Sequence, residues 1–207
     1  ALNEDRITAT GTMSVPFTGR GPMPALDLWK QVYKDNFFYQ LYFQKEGVAE
    51  AEFESDLQKS LFITYTNSDG RGMQNNLEKG QSGLVPKKDK NSTFLEGMEV
   101  FDDFPDWFKQ EDLDYFVSQF EISGLRGPFN RYRAQNIDWN ELAELDKKLK
   151  QPACFITGTL DPVNFFIATD EPLIDRIEAN YENLLFAEEL EGIGHWTQQE
   201  APEEVNR

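Results

Sequence analysis

Apolar and polar positions divide this chain into a short opening strand, a long helical stretch and a closing strand–helix alternation. From Arg6 to Ser14, rough alternation and β-forming residues predict a strand. It ends at Val15-Pro16-Phe17, and the breakers of Thr18-Gly19-Arg20-Gly21-Pro22-Met23-Pro24 predict a loop. A lone strand needs neighbours, so this one must pair with something later in the chain. Ala25, Leu26, Leu28, Trp29, Val32 and Tyr33 then recur at helical spacing and predict a helix over Ala25–Lys34. Asn36 to Gln44 is aromatic and reads as extended or coiled. Ala49, Ala51, Phe53, Leu57, Leu61 and Phe62 predict a longer helix from Val48 to Thr66. Asn67 to Gly83 is polar and glycine-bearing, which predicts an exposed loop, and the lysine-rich stretch Pro86 to Ser92 reads as solvated. Leu113, Phe116, Val117 and Phe120 predict a helix over Glu111–Ile122, closed by Gly124-Leu125-Arg126-Gly127-Pro128. Shorter helices are predicted over Phe129–Arg133 and Trp139–Leu149.

After Gln151-Pro152 the pattern changes. Ala153 to Thr157 is a short apolar run between Pro and Gly, a buried strand; Pro172 to Asn180 predicts a helix; the first half of Asn183–Leu190 predicts another strand. Strand–helix–strand alternation implies an α/β fold with a parallel sheet. Ala201-Pro202-Glu203-Glu204-Val205 opens a last helix, with proline in its first turn and acids at the positive end of its dipole. The organisation expected is a core-sheet strand in residues 1–17, a mainly helical region over 18–149 and an α/β part over 150–207.

Composition narrows the function classes. Aromatics at 14% make a packed core rather than disorder, and the net charge of −17 argues against electrostatic binding to nucleic acid or an anionic membrane. Cys154 is the single cysteine, so no internal disulfide or cysteine-based zinc site exists, and its apolar neighbours predict that it is buried. With one histidine and one cysteine, neither a transition-metal site nor a cofactor is expected, and the acid pair Asp102-Asp103 reads as a solvated turn. No apolar run spans a bilayer and no signal peptide opens the chain, which points to the cytoplasm, and the sequon Asn91-Ser92-Thr93 then carries no meaning.

In open α/β sheets, functional groups sit on loops after the carboxyl ends of strands. Asp161, in Thr157-Gly158-Thr159-Leu160-Asp161-Pro162, follows one strand; His195, in Gly192-Ile193-Gly194-His195, follows the next. His195 is the only side chain whose unperturbed pKa lies near neutrality. An acid that accepts the imidazole N–H fixes its tautomer and stabilises its protonated form, and the order Asp then His is that of the last two members of an α/β-hydrolase triad.

The chain resembles the C-terminal part of an epoxide hydrolase of the α/β-hydrolase fold. The residues that carry the resemblance are Ser14-Val15-Pro16-Phe17; Phe38-Tyr39-Gln40-Leu41-Tyr42-Phe43-Gln44 with Gly47-Val48-Ala49-Glu50-Ala51-Glu52; Ser123-Gly124-Leu125-Arg126-Gly127-Pro128-Phe129-Asn130-Arg131-Tyr132-Arg133; and Gly194-His195-Trp196-Thr197-Gln198-Gln199-Glu200-Ala201-Pro202. Residues 67–110 match no segment of the family. The resemblance implies that the helical region is a cap and that Tyr39 and Tyr132 hydrogen-bond the epoxide oxygen. It implies that His195, oriented by Asp161, activates water to hydrolyse a covalent ester, and that Phe38, Gln40, Phe129 and Trp196 contact a small-molecule epoxide. Where the family often has Trp before the second tyrosine, this chain has Arg131, a change expected in the pocket wall. Without the resemblance, both tyrosines read as ordinary core aromatics with a polar tip.

The ester needs a nucleophile, an Asp on a G-x-D-x-G-like elbow, and the sequence contains none. Asp69, in Ser68-Asp69-Gly70-Arg71-Gly72, lacks the preceding glycine and the strand; the His-Gly-x-Pro oxyanion motif is absent too. Both are expected upstream of Ala1, so the chain reads as a fragment that needs the N-terminal half of its fold. The alternatives are another α/β-hydrolase, a haloalkane dehalogenase or serine esterase, and a non-catalytic protein that binds an apolar ligand beneath its aromatic helices.

Overall fold

The computed structural model describes residues 3, 5–81, 87–146, 148–166 and 169–207. Three parallel strands, β1 (Thr10–Met13), β2 (Ala153–Gly158) and β3 (Leu184–Leu190), form a sheet in that spatial order. With its helices this is an α/β fold. Thr10 pairs with Ala153 and Met13 with Ile156; on the other side Cys154 pairs with Phe186 and Gly158 with Leu190. β2 is buried along most of its length, as a central parallel strand should be. Two boundaries differ from expectation. β1 covers less than Arg6–Ser14, because Ser14 has a positive φ of 61° and turns the chain out of the ladder. β3 takes in all of Leu184–Leu190, since Glu188 and Glu189 pair with Ile156 and Thr157 despite their charge. Cys154 is half-buried rather than buried, facing Gly11 on the neighbouring strand.

Between β1 and β2 lies a helical layer: α1 (Ala25–Val32), α2 (Tyr39–Tyr42), α3 (Val48–Glu54), α4 (Leu57–Ser68), α5 (Gly70–Glu78), α6 (Gln110–Ser123), α7 (Arg126–Arg133) and α8 (Gln135–Glu141). α9 (Leu173–Glu178) connects β2 to β3, and α10 (Thr197–Glu200) and α11 (Pro202–Val205) follow β3. The aromatic stretch expected to be extended or coiled contains α2, which starts after an extended Phe38. The single helix expected over Val48–Thr66 is two helices, because Asp56 leaves helical geometry and accepts a hydrogen bond from the Lys59 N–H at 3.0 Å, capping α4. The helix expected over Trp139–Leu149 begins earlier as α8 and gives way to a 3₁₀ turn at Ala143–Asp146.

The largest departure is Asn67–Gly83, expected to be an exposed loop. Thr66, Asn67, Ser68 and Asp69 are buried, and α5 follows directly. Their polarity is absorbed locally: the Thr66 and Ser68 hydroxyls donate to the Phe62 and Thr64 carbonyls at 2.8 and 2.7 Å, and the Asn67 amide to the Ile63 and Glu99 carbonyls at 2.8 Å each. Asp69 ends α4 and caps α5, accepting from the Gly72 N–H at 2.7 Å and from the Trp107 indole at 3.2 Å. Ser82 to Pro86, part of that expected loop and of the lysine-rich stretch, lie outside the described residues. Lys88 is not simply solvated. Its ammonium donates to the Phe94 and Glu96 carbonyls at 2.8 Å each, lies over the Phe37 ring, and is pushed down by burial to about 8.

An aromatic core fills the helical layer, with Phe37, Phe38, Phe43, Phe53, Phe94 and Phe129 all buried. A separate cluster of Leu149, Phe155, Ile177 and Tyr181 packs one face of the sheet. Arg133 on α7 is fixed to α3 and α2 by hydrogen bonds at 2.7 and 3.0 Å to the Glu50 carboxylate and at 2.8 Å to the Phe43 carbonyl. Both side chains are nearly closed off from solvent, 11% and 13% exposed. The Arg133 hydrogen bonds hold the Glu50 carboxyl below its usual range. Arg133→Met removes the guanidinium and leaves that carboxylate only the Gly47 N–H, and is expected to cost about 3 kcal/mol, measured by denaturant unfolding. The pair's contribution is complete above the unfolded glutamate pKa of about 4.3 and is lost as pH falls through the lower folded value. No helix among the described residues is long and apolar enough to cross a membrane.

Candidate active site

The loops after β2 and β3 are stitched together. The Leu160 N–H donates to the Ile193 carbonyl at 2.9 Å and the Gly192 N–H to the Thr159 hydroxyl at 3.0 Å. Gly158 makes the approach possible: a Cβ there would stand 1.9 Å from the Ile193 oxygen. Asp161 begins a 3₁₀ turn and accepts from the Val163 N–H at 2.9 Å, and its side chain is fully buried. His195 Nδ1 lies 3.0 Å from each Asp161 carboxylate oxygen. Because the carboxylate only accepts, Nδ1 carries the proton and Nε2 keeps a free lone pair. The ring is 27% exposed and stands edge-on to Trp196, whose indole donates to the Tyr65 carbonyl at 2.9 Å.

Tyr39 opens α2 and Tyr132 lies in the last turn of α7; their ring centroids are 5.5 Å apart at 82°. Burial, reinforced by the neighbouring Tyr132, pushes the Tyr39 phenol far above its ordinary value, and burial raises Tyr132 too. Both therefore stay protonated donors through neutral pH. A line of amides supports them. Gln135 donates to the Gln40 carbonyl oxygen Oε1 at 2.9 Å, and the Gln40 amide donates to the Tyr39 phenol oxygen at 2.9 Å. Gln44 donates to the main-chain carbonyls of Gln40 at 2.7 Å and Tyr132 at 3.2 Å, tying the two tyrosine segments together. With its oxygen already accepting from Gln40, the Tyr39 hydroxyl directs its proton toward the neighbouring Tyr132 phenol.

His195, Trp196, Tyr39, Tyr132 and Phe129 line one cavity of about 200 Å³. Besides His195, its lining is aromatic, aliphatic or hydroxyl-bearing and contains no Asp, Glu, Lys or Arg side chain. Phe38 and Gln40, expected against the substrate, are not in that lining: Phe38 stacks on Tyr33 at 4.2 Å behind Tyr39, and Gln40 acts on the Tyr39 oxygen. Arg131 is no part of the wall either, since its side chain is 73% exposed and reaches toward Asp138.

No protein-family model matches the chain. It is 33% identical over 205 residues to epoxide hydrolase A of Mycobacterium tuberculosis, covering 99% of this chain and 60% of that protein. The structure of an epoxide hydrolase from an endophytic Streptomyces superposes over 100% of this chain and 60% of that one, with a TM-score of 0.85 and 34% identity. This chain is an epoxide hydrolase homologue with part of their α/β-hydrolase fold. Epoxide hydrolase A of Mycobacterium thermoresistibile gives a TM-score of 0.84 at 28% identity, over 99% of this chain and 61% of that one. The homologue thus spans about 60% of the length of these relatives.

Within this epoxide hydrolase homologue, several residues around the site left no signal in the sequence. Tyr65 and Ser68 line the cavity from α4 and Phe166 from the turn after Asp161. Gln135 was hidden ahead of the helix expected at Trp139. Glu200 stood within the histidine motif with no role of its own, although a half-buried carboxylate four to six residues after the N–H groups of a glycine-bearing loop is a recognisable capping arrangement. Among the described residues no cluster of His, Cys, Asp or Glu could hold a metal ion.

Proposed function

We propose that this chain supplies the proton-donating tyrosines and the water-activating pair of an epoxide hydrolase, which converts an epoxide into a vicinal diol through a covalent ester. The observation that carries the proposal is His195, paired with the buried Asp161, facing the same apolar cavity as the paired Tyr39 and Tyr132. In the first step a carboxylate, borne by a part of the protein outside this chain, attacks an epoxide carbon. The ring C–O bond breaks, an ester forms, and the departing oxygen takes a proton from a tyrosine while the other phenol donates a hydrogen bond. In the second step His195 Nε2 takes a proton from water, whose oxygen adds to the ester carbonyl. The acyl C–O bond breaks, the departing diol alkoxide takes the proton held on His195, and the second water proton, left on the new carboxylic acid, returns to the tyrosinate as the carboxylate is regenerated. Asp161 keeps the imidazole in the required tautomer and stabilises its cation.

The intact protein, given an excess of enzyme over a neutral aryl epoxide in ¹⁸O-water, should release a first-turnover diol without ¹⁸O, because the added oxygen comes from the carboxylate. Label should enter the diol only on later turnovers. Label in the first diol means direct attack by water and rejects the ester route; turnover of a haloalkane or carboxylic ester but no epoxide rejects the substrate class. The 207 residues alone are expected to show no epoxide turnover, since neither the nucleophile nor an oxyanion motif is among them.

The amide line adds a sharper expectation. Gln40→Glu replaces a donor to the Tyr39 oxygen with an acceptor that captures the phenol proton, so ring opening should slow by about tenfold or more in single-turnover measurements. Gln40→Met, which can neither donate nor accept strongly, should do less harm than the glutamate.

A further inference from the structure

The His195 loop is held by a carboxylate that the reaction scheme does not use. Glu200, the last residue of α10, accepts three main-chain hydrogen bonds: from Gly194 at 3.0 Å and Gly70 at 2.9 Å on Oε2, and from Trp196 at 3.0 Å on Oε1. Gly194 and Trp196 flank His195, and the His195 N–H itself donates to the Ser68 carbonyl at 2.9 Å. Three successive N–H groups of the histidine loop are therefore committed, two of them to Glu200 and one to the end of α4. Gly70 belongs to α5, so the same carboxylate joins the α4–α5 junction of the helical layer to the loop after β3.

The two backbones touch because both lack side chains there. A Cβ on Gly194 would lie 2.3 Å from the Asp69 carbonyl carbon, and one on Gly70 would lie 2.0 Å from the Gly192 oxygen. Asp69 faces Glu200 across this contact, and both of its oxygens are occupied, by the Gly72 N–H and the Trp107 indole. Burial beside a second carboxylate would make Glu200 costly to keep ionised, yet three N–H donors converge on it.

We infer that Glu200 is a positioning residue for His195: by fixing the peptides on either side of it and anchoring them to the α4–α5 junction, it holds Nε2 where ester hydrolysis needs it, and it governs the second step without contributing to the first. The inference rests on the reaction proposed above. Ring opening depends on the two tyrosines, on other elements, whereas general-base action depends on where the imidazole points, and a misplacement of about 1 Å costs on the order of 10²-fold.

The test is rapid quench of the intact protein with an epoxide, following the ester by mass and the diol by chromatography. In Glu200→Gln one acceptor oxygen becomes an NH₂ that opposes an N–H. Ester formation should stay within about 2-fold of wild type, ester hydrolysis should fall about 10–100-fold, and the ester should accumulate. Glu200→Asp, which keeps the charge but draws back from Gly70, should show the same selective defect more weakly, and it carries the test if the glutamine variant does not fold. A purely structural role lowers the amount of competent enzyme, so both steps lose amplitude while their rate constants stand; that result, or unchanged ester hydrolysis in a folded variant, overturns the inference. If wild type forms no ester at all, the reaction scheme itself falls, which this inference cannot survive and which the variants alone would not reveal.

Discussion

His195→Gln in the intact protein should stall turnover with the substrate bound as an ester. In the proposed reaction ring opening needs the attacking carboxylate and the tyrosines, and neither Tyr39 nor Tyr132 hydrogen-bonds His195 among the described residues. Removing the general base should therefore leave the first step nearly intact and slow the second by about 10²–10⁴-fold, the usual worth of general-base catalysis. Intact-protein mass spectrometry should then show most of the enzyme heavier by the mass of one epoxide. Asp161→Asn should act in the same direction, because an amide in place of the carboxylate can present an N–H to Nδ1 and select the wrong tautomer. An unmodified enzyme that is nonetheless inactive would place His195 in the first step instead.

The opposite kinetic signature is expected from the tyrosines. Tyr39→Phe or Tyr132→Phe should slow ring opening, and replacing both should slow it by about 10³-fold or more, by analogy with the loss of preorganised oxyanion donors. Each phenol can substitute in part for the other, given that their rings are in contact at 5.5 Å, so the double replacement should exceed either single one clearly. No ester should build up in these variants, since its formation has become limiting. Stability should fall only modestly, because Phe fills the same space and the loss is confined to the phenols' hydrogen bonds, chiefly the one Tyr39 accepts from the buried Gln40 amide. Retained ring opening in the double variant would remove the epoxide-specific part of the proposal and leave the His195–Asp161 pair open to other ester chemistry.

The two halves of this site announced themselves differently in the sequence. The contact between Asp161 and His195 could be anticipated from local rules, since each sits where a short apolar run meets glycines and prolines. Tyr39 and Tyr132 could not be so anticipated: each is one aromatic among many on an apolar helical face, and only the surrounding motifs singled them out. Phe38 and Gln40 show the limit of motif reading. The residues on either side of Tyr39 point in different directions, so the extended Phe38 backs the ring and Gln40 on α2 hydrogen-bonds its oxygen. The α4–α5 junction was misread for another reason. Thr66, Asn67, Ser68 and Asp69 look like a solvated loop by composition, but each finds its partner within four residues or on a neighbouring segment, and polar groups so satisfied can be buried. The exposed Leu185 and Phe186 on β3 likewise show that a strand's pattern does not say what covers it.

The way His195 is tethered has a consequence for the time course of folding. Its carbonyl accepts from the Ser14 hydroxyl, 181 residues earlier, at 2.7 Å, and its N–H is held by Ser68. The Ser14 tether cannot exist until β1 has found β2 across the whole helical insertion, a closure of very long range that costs entropy before it returns any contact. Local helices should thus form early on refolding, while the imidazole is set last. In the intact protein, recovery of helical circular dichroism should run ahead of recovery of ester hydrolysis, and the lag between them measures how long Ser14 and the loop of His195 take to meet.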